Sequence, residues 1–173
     1  REYEFAEGTT ILEAARSVGI QIPHYCYHPG LSIAGACRMC LVEIEKMPKL
    51  QISCYMTVAD GMVVFTDTAR VKRARKAILE FHLVNHPVDC PVCDQAGECG
   101  LQEYYMLHGL YVSRLKENKV RKSKKAFQVG PEIMLDQERC ILCSRCVRFC
   151  REVSGSHELG MFRRGDRSVI DTF

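Results

Sequence analysis

Hydrophobic and polar residues alternate at Tyr3-Glu4-Phe5 as in a strand, then recur with helical spacing over residues 11–18. Thr10 and Glu13 stand three apart at the head of that run, the spacing of a capping box, and Gly19 stops it. Alternation returns at Leu41-Val42-Glu43-Ile44-Glu45. It resumes after the turn Met47-Pro48-Lys49 over residues 50–53, and after Asp60-Gly61 over residues 62–65. Strand, helix and several short strands predict a small α+β domain over residues 1–66. A longer helix follows, with Val71, Ala74, Ile78 and Phe81 on one face and Arg70, Lys72, Arg73, Arg75 and Lys76 on the other. Pro87 is expected to close it just after His86. A second helix over residues 101–107, stopped by Gly109, completes a segment of residues 67–112. Residues 113–131 carry Lys116, Lys119, Arg121, Lys122, Lys124 and Lys125 and read as a basic linker or extended surface loop. The last segment, 132–173, has no long periodic element.

Composition changes this picture at one point. The chain of 173 residues has a net charge of only +3, which excludes little, but it holds eleven cysteines. An odd number does not pair off as disulfides, and the gaps Cys37–Cys40, Cys90–Cys93 and Cys140–Cys143 are those of metal sites in a reducing compartment. Nothing resembles a signal peptide. No apolar run approaches the roughly 20 residues of a membrane helix, so no span is expected. The chain opens at Arg1 inside an alternating pattern, and further residues are expected upstream.

The cysteines fall into three groups. Cys26, Cys37, Cys40 and Cys54 have the spacing C-x10-C-x2-C-x13-C. Four thiolates suit Zn²⁺ or a 2Fe–2S cluster. The small residues of Gly30-Leu31-Ser32-Ile33-Ala34-Gly35-Ala36 favour the cluster, because they let backbone N–H groups approach its sulfides. His86, Cys90, Cys93 and Cys99 read H-x3-C-x2-C-x5-C, a 4Fe–4S site with an imidazole in the fourth position, or a Cys3His zinc site on the motif alone. His82, one helical turn earlier, is the rival ligand. Cys140, Cys143 and Cys146 form C-x2-C-x2-C, and Cys150 extends the run, with Arg151 where the bacterial 4Fe–4S pattern has proline. In that pattern the fourth cysteine serves another cluster. The last ligand of this site is therefore expected beyond Phe173, with Cys150 as the alternative.

Gly35-Ala36-Cys37-Arg38-Met39-Cys40-Leu41-Val42, Asn85-His86-Pro87-Val88-Asp89-Cys90-Pro91-Val92-Cys93-Asp94 and Glu138-Arg139-Cys140-Ile141-Leu142-Cys143-Ser144-Arg145-Cys146-Val147-Arg148, in this order, resemble the N-terminal region of the large iron–sulfur subunit family of respiratory complex I, NADH:quinone oxidoreductase. The resemblance covers essentially the whole chain. It implies a β-grasp 2Fe–2S ferredoxin-like domain followed by two small helical, loop-rich 4Fe–4S domains. It also implies one 2Fe–2S and two 4Fe–4S clusters, and neighbouring peripheral-arm subunits that include the one binding NADH and flavin. The implied location is peripheral, on the cytoplasmic face of a bacterial inner membrane or on the mitochondrial matrix side.

The expected role is non-autonomous: relaying electrons from NADH and flavin toward quinone. No nucleotide motif is present, neither G-x-G-x-x-G after a strand nor a Walker loop, and there is no acid–base or nucleophilic machinery to assign. A relay subunit of an NAD-linked hydrogenase or formate dehydrogenase is the alternative. A zinc-stapled nucleic-acid-binding module is a remote third reading, since few aromatics interleave the basic residues for base stacking. The basic faces are expected to contact partner subunits.

Overall fold

The computed structural model describes residues 1–173. Its first helix, α1 (Ile11–Ser17), begins where the capping box predicts: the Glu13 N–H donates to Thr10 Oγ1 at 3.2 Å. Glu13 is fixed from a second side by the Tyr27 hydroxyl, which donates to it at 2.7 Å. The inward face of α1 (Ile11, Leu12, Ala15) lies on a three-stranded antiparallel sheet of β1 (Leu41–Ile44), β2 (Gln51–Ile52) and β3 (Val64–Phe65) in the order β2-β1-β3. Leu41 faces Ile52 and Ile44 faces Val64 across the ladders. This register turns Val42 and Ile44 inward, where they pack with Ile22, Tyr27, Cys40 and Cys54. Tyr3-Glu4-Phe5 pairs with no strand. Its alternation brings two rings together, at 6.1 Å between centroids, without a ladder partner.

Helix α2 (Ala69–Leu83) is capped by Thr68, whose oxygen accepts the Val71 N–H at 3.2 Å while its hydroxyl donates to Glu43 at 2.7 Å. Two expectations fail here. The buried stripe is Val71, Arg75 and Leu79 at i, i+4 and i+8, so the helix is rotated from the predicted face: Phe81 is 78% exposed and Arg75 only 3%. The guanidinium turns inward because the Leu41 carbonyl accepts from it at 3.1 Å and the first cysteine group lies beside it. The helix also stops at Leu83, short of His86. Proline disfavours the helical region for the residue before it. In addition Lys119 from the basic stretch takes the Leu83 carbonyl at 2.9 Å and the His86 carbonyl at 2.5 Å, while Val120 N–H binds the Asn85 side chain at 2.9 Å. The end of α2 is thus closed from outside the helix.

Helix α3 (Gly100–His108) packs on α2, and the two carry the second core of Tyr25, Cys26, Cys37, Met39, Leu79 and Leu101. Leu79 is fully buried there. Leu79→Ala in the full-length subunit is expected to cost about 2–5 kcal/mol, the usual range for a buried leucine, read from denaturant unfolding followed by visible absorbance.

The last segment contains two hairpins. β4 (Ala126–Gln128) pairs with β5 (Met134–Asp136), and β6 (Leu159–Phe162) with β7 (Val169–Thr172). Between them lies α4 (Arg145–Phe149), whose continuation over Cys150–Ser154 widens into a π turn. The basic stretch is woven into this structure. Arg114 pairs with Glu80 at 2.5 Å, Lys124 with Asp171 at 3.1 Å, and Lys125 with Glu138 at 3.1 Å, while Lys122 donates to backbone carbonyls of the loop before β7. Most of the charges expected to face partner subunits are therefore engaged within the chain.

Candidate metal centres

Cys37 and Cys40 flank the last loop before β1, Cys54 follows β2, and Cys26 approaches from the segment after α1. All four are buried, between 1% and 8% exposed. Their thiols associate two by two. Cys37 hydrogen-bonds Cys26 and holds its thiol down to about 5; Cys54 does the same to Cys40, to about 6. Cys37 and Cys54 are pushed up in turn, first by those same hydrogen bonds and then by burial. Two pairs of thiols side by side suit a two-iron core, with two thiolates on each iron, better than one zinc ion.

Two further observations test the fit. Non-glycine residues adopt left-handed backbone inside the C-x2-C spacers: Arg38 (φ 59°) between Cys37 and Cys40, Leu142 (φ 55°) between Cys140 and Cys143, and Ser144 (φ 60°) between Cys143 and Cys146. Gly35 (φ 59°) precedes the first of them. Such turns gather backbone N–H groups into concave nests that receive anions, iron–sulfur clusters among them. The Leu142 N–H already points at Cys140 Sγ, 3.4 Å away. Second, three buried donors lack any hydrogen-bond partner: Tyr25 OH, Ser53 Oγ and Arg75 Nε. Buried polar groups are rarely left so. All three border the cysteines, for Tyr25 feels the charge of Cys37 and Cys99, Arg75 that of Cys40, and Ser53 binds the Cys40 thiol when thiolate forms. Thiolates and sulfides are the acceptors such donors need.

His86 lies off the end of α2, its Nδ1 accepting the Val88 N–H at 3.1 Å. Val88 holds φ 55°, costly for a β-branched residue, at the bend that leads into the turn Cys90–Val92. No side-chain hydrogen bond joins His86 to Cys90, Cys93 or Cys99. Burial lowers its pKa, with Lys119 adding to the effect, so the ring favours the neutral form a ligand requires. His82 is committed elsewhere: Nε2 donates to the Cys37 carbonyl at 3.4 Å, and the ring meets Tyr25 edge-on at 5.0 Å. In the third group, burial first raises the pKa of Cys140 and of Cys146, and the neighbouring Cys143 sulfur adds to both. Cys150 stands one helical turn past Cys146 and is half-buried.

The three groups are tied together. His82 and Tyr25 link the first to the helices of the second. Arg139, beside Cys140, forks onto Asp89, beside Cys90, with contacts of 2.8–3.3 Å. Arg148 binds the carbonyls of Cys26, Ser32 and Cys143. Sequence reading missed Tyr25, Ser53, Arg139 and Arg148 as site residues. The i, i+4, i+8 relation of Val71, Arg75 and Leu79 was the one available sign that Arg75 turns inward.

Comparison with known proteins assigns this architecture to the iron–sulfur cluster-binding proteins. Residues 1–69 match a 2Fe-2S iron-sulfur cluster binding domain, residues 75–114 an NADH-ubiquinone oxidoreductase-G iron-sulfur binding region, and residues 130–173 the ferredoxin-like domain of NADH-quinone oxidoreductase subunit 3. The chain belongs to the family of G-type subunits of NADH-quinone oxidoreductase and their mitochondrial 75 kDa relatives, and carries that family's one 2Fe–2S and two 4Fe–4S regions. It is 49% identical to the G-type NADH-quinone oxidoreductase subunit of Rickettsia bellii over 100% of its own length and 25% of the relative's. It is 52% identical to the NADH-ubiquinone oxidoreductase 75 kDa subunit of Reclinomonas americana, over 98% of this chain and 24% of that one. The chain thus spans about a quarter of these relatives. A crystal structure of NAD+-reducing [NiFe]-hydrogenase in the H2-reduced state superposes with a TM-score of 0.88 at 32% identity, covering 98% of this chain and 70% of that one. No helix is long and apolar enough to cross a membrane.

Proposed function

We propose that this chain is the electron-relaying part of a peripheral subunit of NADH:quinone oxidoreductase, taking electrons from an NADH- and flavin-binding neighbour and passing them toward quinone. Cys26, Cys37, Cys40 and Cys54 hold the 2Fe–2S cluster, and His86, Cys90, Cys93 and Cys99 a 4Fe–4S cluster. Cys140, Cys143 and Cys146 hold the second 4Fe–4S cluster, with a fourth thiolate from elsewhere in the full-length subunit and Cys150 as the alternative. The cytoplasmic face of the bacterial inner membrane, or the matrix side in mitochondria, is the matching location.

The observation that carries this reading is one apolar core holding cysteines of all three groups. Cys26 and Cys37 are buried in it, and Cys99 and Cys143 pack against it. When bound, the clusters supply one-electron chemistry at thiolate-ligated iron. The chain's own residues do the rest. Met39, Leu79 and Leu101 exclude water between the groups; the left-handed spacers orient N–H donors; Arg139 and His82 fix neighbouring loops.

The hydrogenase likeness gives the second reading, a relay fed by hydrogen rather than by NADH. Rapid mixing of the assembled enzyme with NADH, frozen and read by paramagnetic resonance, separates the two. Reduction of this subunit's clusters by NADH with no response to H2 is expected. Reduction by H2, or by dithionite alone, overturns the assignment.

A further inference from the structure

Arg148 is 5% exposed and carries a charge that no carboxylate offsets. Its partners are all neutral oxygens. Nη1 donates to the Ser32 carbonyl, Nη2 to the carbonyls of Cys26 and Cys143, the latter at 3.5 Å, and Nε to Ser144 Oγ at 3.3 Å. Cys26 belongs to the first cysteine group and Cys143 to the third, so one guanidinium spans both. The loop that receives it is fastened a second time. Glu152, one turn further along, accepts the Ser32 N–H at 2.7 Å and the Ser32 hydroxyl at 2.5 Å.

A buried, unpaired charge is costly, and carbonyl dipoles alone compensate it poorly. The anions available to answer it are the thiolates of the two cysteine groups it bridges. Resting on the relay assignment above, we propose that Arg148 is a positioning residue that clamps the 2Fe–2S loop to the third cluster's loop and serves both clusters as a shared counter-charge, raising the reduction potential of each. Each cluster gains negative charge when reduced, and a fixed cation beside it in a low-dielectric interior stabilises that state. A single cation next to two centres makes both easier to reduce, each by an amount set by its own distance. The His86 group lies outside its hydrogen-bonding reach.

The test is a redox titration of the full-length subunit in the assembled enzyme, followed by paramagnetic resonance, for wild type, Arg148→Gln and Arg148→Lys. In Arg148→Gln the midpoints of the 2Fe–2S cluster and of the Cys140/Cys143/Cys146 cluster are expected to fall while that of the His86 cluster stays. If Arg148→Gln loses those two signals and keeps the third, the clamp is supported directly. Arg148→Lys keeps the charge without the fork and is expected to shift less than Arg148→Gln; an equal shift overturns the counter-charge. Unchanged midpoints, a shift in one cluster alone, or a common shift or loss of all three overturns the proposal. Absence of the signals from wild type would instead overturn the relay assignment itself.

Discussion

Cys40→Ala in the full-length subunit is expected to abolish the 2Fe–2S resonance of the reduced enzyme while the 4Fe–4S signals persist. Cys40 is 1% exposed and shares a proton with Cys54, and Cys26 and Cys37 form the matching pair beside them. Removing one thiol would leave one iron with a single protein thiolate. No spare cysteine is within reach, because the remaining seven belong to the other two groups. The stability effect compounds the loss. Cys40 also packs in the first core with Leu12, Val42 and Ile44, and the orphaned Ser53 and Arg75 donors would stay buried without an anion. Full retention of the signal in Cys40→Ala would falsify the ligand set.

Replacing His86 by Cys is expected to keep a cluster at the second group and lower its midpoint by something on the order of 100 mV, since an anionic ligand takes the place of a neutral one. His82→Ala should leave all three clusters bound. The His82 ring donates to the Cys37 carbonyl and rests against Tyr25, so its loss disturbs the packing of the first loop rather than any coordination at the second. Titration of both variants decides the matter. An unchanged midpoint in His86→Cys, or loss of the second cluster in His82→Ala, reverses the assignment.

Much of the molecule was legible because its signals are local. The Thr10 cap, the turn at Asp60-Gly61 and the alternation through Leu41–Ile44 act over four or five residues, and the protein folds as they predict. The cysteine spacings are local as well, which is why the cluster types could be read before any coordinates. What escaped is long-range. Arg75 sits at a position that a helical wheel assigns to either face, and only Leu41 and Cys40, more than thirty positions back, settle it. Lys119 ends α2 from thirty-six residues downstream of Leu83. The left-handed spacers carry arginine, leucine and serine rather than glycine, so nothing in their identity announces the nests they form. β4 and β5 are three residues long and half-exposed on both faces, which leaves no alternation to detect.

The burial of the first four cysteines has a bearing on how the protein is made. Helix α2 and the Arg148 side chain pack against loops whose cysteines solvent barely touches. Loading of a 2Fe–2S centre is therefore expected to precede closure of the later segments over these four cysteines.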